Sequence, residues 1–106
     1  MNERFVKEMT VECEGFCIRL DYSLIEEALN EYCPEIRRYG VHVKMTRLYE
    51  ESHEPAGEKK IRGLFCSESE AMRFIDLIAR NTVTPTTLIE ITEEYMTGMI
   101  NYSLYV

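Results

Sequence analysis

IRGLFCSESEAMRFIDLIARNTVTPTTLIEITEEYMTG, residues 61–98, is the stretch whose reading decides the fold. Inside it, Ser67-Glu-Ser-Glu70 has the form of a capping box, in which the serine hydroxyl accepts from the amide three residues on and the glutamate reaches back. That order predicts a helix start. Ala71, Phe74, Ile75 and Ile78 then recur at helical spacing, while Glu70, Arg73, Asp76 and Arg80 take the opposite side. Asn81 is a natural left-handed terminator of such a helix. A second helix restarts at Thr84-Pro85, since threonine caps and proline suits the first helical position. Leu88, Ile91 and Tyr95 form its apolar stripe, and Gly98 reads as its stop. Two amphipathic helices, about 68–81 and 85–97, need a common surface to cover. The first sixty residues have to provide it.

They read as strands. Phe5, Lys7, Met9, Val11 and Cys13 alternate with Val6, Glu8, Thr10 and Glu12, and Glu14-Gly15 supplies a hairpin turn. Phe16, Ile18, Leu20, Tyr22 and Leu24 then alternate with Cys17, Arg19, Asp21 and Ser23, the cleanest period-two pattern in the chain. Residues 24–32 are ambiguous between strand and helix, because Ser23 with Glu26 also resembles a capping box. Tyr39, Val41, Val43 and Met45 mark a third strand. Residues 50–58 read as a polar loop around Pro55 and Gly57, and a weaker fourth strand follows. The expected architecture is a single α+β domain over 1–106. It is an antiparallel meander of three to four strands, about 4–14, 16–25, 38–48 and 59–66, with the helix pair on one face. Ile100, Tyr102, Leu104 and Val106 alternate in the tail, which makes them a candidate edge strand or interface.

Size and charge narrow the class. A chain of 106 residues buries roughly 60–65% of its unfolded surface and forms one core. The net charge of −7 repels phosphate backbones and anionic lipid, so nucleic acid and membrane are not expected partners. With no run of about 20 apolar residues and no apolar leader, the expected location is the cytoplasm. The charge is unevenly spread: residues 36–62 hold 7 basic and 4 acidic side chains, whereas both flanks are acidic.

Tyr22-Ser-Leu-Ile-Glu26, Tyr39-Gly-Val-His-Val-Lys44 and Asn81-Thr-Val-Thr-Pro-Thr-Thr-Leu88 with Glu94-Tyr95 resemble a family of small uncharacterised bacterial proteins, a domain of unknown function. The resemblance implies a strand over Tyr22 to Glu26. It implies no activity, ligand or catalytic residue.

Candidate chemistry is sparse. Cys13, Cys17, Cys33 and Cys66 lack the paired short spacings of structural zinc, so reduced thiols are expected and neither metal nor cofactor. His42 alternates with Arg38 and Lys44 on the polar side of the third strand. With Arg62 alongside, these four residues are candidate ligands for a small phosphate or carboxylate through charge-assisted hydrogen bonds. No glycine-rich phosphate loop, nucleophile elbow or His-Glu-x-x-His motif occurs, so the chain is not expected to be an enzyme. Seven tyrosines and six methionines suit a binding surface. The leading expectation is a non-catalytic interaction or regulatory module, homodimeric or holding a protein partner; the alternative is a small anionic-ligand-binding or enzymatic domain using the basic face of the third strand.

Overall fold

The computed structural model describes the backbone of residues 1–105 and the side chains of residues 1–98. Four strands, β1 (Asn2–Cys13), β2 (Phe16–Ala28), β3 (Arg37–Leu48) and β4 (His53–Phe65), form one antiparallel sheet in the order β1-β2-β3-β4. Two helices follow, α1 (Glu68–Arg80) and α2 (Leu88–Tyr105). The α+β meander with a helix pair over one face is thus as the alternation predicts.

The ambiguous segment resolves as strand. β2 runs to Ala28 because it is a central strand, paired along its length with both β1 and β3. A helix from Ser23 would forfeit both ladders. The turn after it is organised by Asn30, whose side-chain oxygen accepts from the amides of Tyr32 and Cys33 at 2.9 Å each.

β4 begins at His53 rather than near 59, so most of the predicted loop is strand. An edge strand tolerates Pro55. Its irregularity is absorbed by one extra residue, Ala56, and by Gly57 at φ 136°. A comparable bulge at Val6 shifts the register of β1. This overturns the simple alternation there: Phe5 pairs with Ser23 on the uncovered side, whereas Lys7 and Met9 face the helices.

The core lies between sheet and helices. Leu20, Tyr22, Leu24, Val41 and Val43 pack against Phe65, Ala71, Phe74, Ile75 and Ile78. Each large apolar side chain buried there contributes about 1.5–3 kcal/mol. Phe74 is the centre of an aromatic group, with ring centroids 5.6 Å from Phe65 and 4.9 Å from Tyr95. Tyr22 adds a polar tie, donating its hydroxyl to the Val83 carbonyl at 2.9 Å, so β2 holds the hinge between the helices. Burial pushes this phenol up to about 12.

Ser67 caps α1 as the sequence predicts, accepting from the Glu70 amide. The other end differs. Asn81 keeps φ −96°, and Thr82 takes the left-handed position at φ 47°. The reason is a Schellman closure: Val83 N–H bonds the Ile78 carbonyl at 2.9 Å and Thr82 N–H bonds Ala79 at 3.0 Å. Both Ile78 and Val83 are buried, which supplies the apolar contact of that motif. A β-branched residue at positive φ is strained. Thr82→Gly is therefore expected to raise stability by about 1 kcal/mol, read as a higher urea midpoint; an unchanged or lower midpoint would show that the closure does not need the left-handed residue.

α2 starts three residues later than expected, after a turn closed by Thr87 N–H on Thr84 O at 3.2 Å. It also continues through Gly98, which corrects two expectations at once: Gly98 is no stop, and the backbone to Tyr105 is helix, not an edge strand. Glycine costs a helix about 1 kcal/mol but ends it only when it turns left-handed. The side chains of Ile100, Tyr102, Leu104 and Val106 lie outside the described residues.

Candidate functional site

The helices cover one face of the sheet and leave the other bare. On that bare face β1 presents Glu3, Phe5, Glu8 and Glu12, β2 presents Arg19, Asp21, Ser23 and Glu27, and β3 presents Arg38, His42 and Lys44. β4 adds Glu58, Lys60 and Arg62.

At its centre His42 is only 3% exposed. Its Nδ1 bonds Glu3 from β1 and its Nε2 bonds Glu58 from β4 at 2.9 Å. Lys60 closes the arch above it, 3.7 Å from the second oxygen of Glu3. Side chains from both outer strands therefore meet over β3. Small Ser23 is the β2 residue opposite His42.

Burial alone would push the Glu3 carboxyl up. The His42 hydrogen bond and the charges of His42, Lys60 and Lys44 together outweigh it and hold the group below its ordinary value. A depressed carboxyl contributes stability above its unfolded value, and that contribution is lost as pH falls through the folded value. Stability should thus drop below about pH 4.5. In Glu3→Gln this acid-side drop should be shallower, measured as the difference in urea midpoint between neutral and acid solution; equal drops in both proteins would dismiss the tie.

A second bridge lies further along. Arg62 reaches over β3 to Glu27 of β2, Nη2 to Oε2 at 2.5 Å. That hydrogen bond lowers the Glu27 carboxyl and raises the Arg62 guanidinium. It is exposed on the arginine side and adds little stability. The span is available because the β3 residue beneath is Gly40. Arg62, Gly63 and Leu64 all stand against that one residue, with Gly63 at φ 66°.

The four residues singled out from the sequence share this face but do not converge on one ligand. Arg38 donates to the Gly63 carbonyl at 2.8 Å, Arg62 is paired and His42 is buried. Of the four, Lys44 alone has no hydrogen-bond or ion-pair partner among the described residues. Its cross-strand neighbours, Asp21 and Glu58, are held instead by Arg19 at 3.3 Å and by His42. Lys44 borders a shallow groove of about 470 Å³ with Arg19, Asp21, Thr46 and Glu58. Sequence reasoning missed Glu3 and Glu58, because the β1 bulge hides which side Glu3 takes and Glu58 reads as loop.

Both imidazole nitrogens of His42 carry carboxylate partners, so this ring has no idle nitrogen to serve as a base. Among the described residues no group of three or more His, Cys, Asp or Glu side chains is placed to hold a metal ion. The four cysteines are free thiols.

The fold and face allow comparison with known proteins. The model of a family of unknown function (DUF6514) matches residues 1–98. The chain belongs to that family. Membership in DUF6514 agrees with the resemblance read from the Tyr22, Tyr39 and Asn81 segments, and it brings no activity with it. No curated protein and no solved structure matches the chain. The DUF6514 match spans all four strands, α1 and the part of α2 whose side chains are described. Among the described residues no helix is long and apolar enough to cross a membrane.

Proposed function

We propose that the protein is a non-catalytic interaction module of the cytoplasm, and that its bare sheet face holds a protein partner whose surface carries the reverse division of charge. The observation that carries this is the face itself. Carboxylates line β1, with Glu3, Glu8 and Glu12, while β3 and β4 carry Arg38, Lys44, Lys60 and Arg62 against a single Glu58. Charge division of this kind sets partner choice and encounter rate.

The test is affinity capture with the intact chain and with Lys44→Glu in parallel. A partner held by the intact chain and lost by the variant supports the reading; identical captures by both proteins count against it. One observation favours a second reading, a small anionic ligand: Lys44 stands beside the groove with both neighbouring carboxylates held elsewhere. That reading expects phosphates or carboxylates to raise the melting temperature. A flat response across both removes it.

A further inference from the structure

We infer that the partner is a second copy of this chain, docked bare face to bare face about a two-fold axis that runs along the strands. The inference rests on the interaction reading above and gives the partner an identity. A two-fold interface must be complementary to itself. Two in-plane axes keep the strands of the two copies aligned. An axis across the strands would lay β1 on its own copy and set Glu3, Glu8 and Glu12 against the same carboxylates. An axis along the strands lays β1 over the partner's β4 and β2 over its β3, so the acidic half of each face meets the basic half of the other.

Three features of the face agree with this placement. Lys44 has no opposite charge within 4.0 Å among the described residues, so it is free to pair between copies. Glu58, the one carboxylate on the basic half, falls over the partner's Glu8, and its charge is already taken up by His42. Asp21 and Lys44 share a cross-strand row, and a rotation about the strand direction puts each over the other's copy.

Phe5 supplies the apolar contact. The Val6 bulge turns its ring onto this face, where it is 59% exposed. It occupies the same row as Ser23, His42 and Lys60. The rotation sets it over the partner's Lys60, a cation–π arrangement.

The sheet edges are poorer docking routes. β4 is interrupted by Pro55 and by bulges at Ala56 and over residues 62–64, and β1 is interrupted at Val6. Such irregularity discourages edge pairing.

Sedimentation equilibrium on the intact chain over micromolar to millimolar concentration tests the inference. The intact chain is expected to reach the dimer mass. Lys44→Glu and Asp21→Lys are each expected to associate at least about tenfold more weakly, because the rotation sets these two positions against each other, with circular dichroism confirming that both still fold. Mixing the two variants should restore the dimer mass, because each reversed patch then meets its match.

A dimer that neither charge reversal weakens would overturn the face-to-face arrangement, as would two variants that fail to recombine. An intact chain that stays monomeric throughout overturns the second copy as partner. In that case the capture experiment separates the two claims: a partner lost with Lys44→Glu keeps the interaction module and discards only the dimer, and captures unaffected by Lys44→Glu discard both.

Discussion

Gly40→Ala is expected to destabilise the protein by at least about 3 kcal/mol, the upper range for forced overpacking. A methyl group there overlaps the Ile61 carbonyl oxygen and comes 2.8 Å from the Arg62 Cα. Both are backbone atoms, so no rotamer change relieves the clash. β4 would have to lift away where Arg62, Gly63 and Leu64 cross over β3, and the bridge from Arg62 to Glu27 would open with it. The measurement is the urea midpoint together with amide exchange of β4. Gly98→Ala is the control: nothing lies within 4 Å of the added methyl, and a mid-helix alanine should stabilise by about 1 kcal/mol. A Gly40→Ala protein with the wild-type midpoint would refute the close crossing.

Ile75→Asp is expected to unfold the domain. Ile75 lies at the centre of the apolar face of α1 and is 1% exposed among Phe74, Ile78 and the β2–β3 core. The substitution removes about 2–3 kcal/mol of apolar burial. It also leaves a carboxylate without a partner, which costs several kcal/mol more. Together these approach the whole stability of a domain this size, about 5–15 kcal/mol. Arg73→Asp, on the exposed side of the same helix, should change stability by no more than about 0.5 kcal/mol. Far-ultraviolet circular dichroism and a thermal melt read both. A cooperative native melt in Ile75→Asp would mean that this face of α1 is not the buried one.

Most of the fold was legible because its signals are local. The stripe of Ala71, Phe74, Ile75 and Ile78, the Ser67 cap and the alternation through Leu20 and Tyr22 each depend on a few neighbours in sequence. They placed α1, β2 and β3 and most of the core. The misreadings fall where local signals compete with pairing. Residues 53–58 contain proline and glycine and read as loop, yet β3 offers them a ladder, and one bulge absorbs the conflict. Gly98 read as a stop, yet a helix already under way passes through it.

The bare face was legible only in part. Arg38, His42, Lys44 and Arg62 were read as polar positions of β3 and β4, but Arg38, His42 and Arg62 not as residues already engaged by other groups. The engagement of His42 depends on Glu3, 39 residues away, that of Arg62 on Glu27, 35 residues away, and that of Arg38 on the Gly63 carbonyl, 25 residues away. No spacing rule connects such pairs.

The sequence by itself determined the layers, the apolar face of α1 and the division of charge between the two ends of the sheet, since periodicity and composition act within each element. Tertiary structure alone decided that β1 turns Phe5 outward, that His42 is sealed between two carboxylates, and that Gly40 lets β4 reach across to β2. The physical reason is common to all three. Each depends on a bulge or a missing side chain setting the register between strands, and a one-residue shift in register sends a side chain to the opposite face of a sheet.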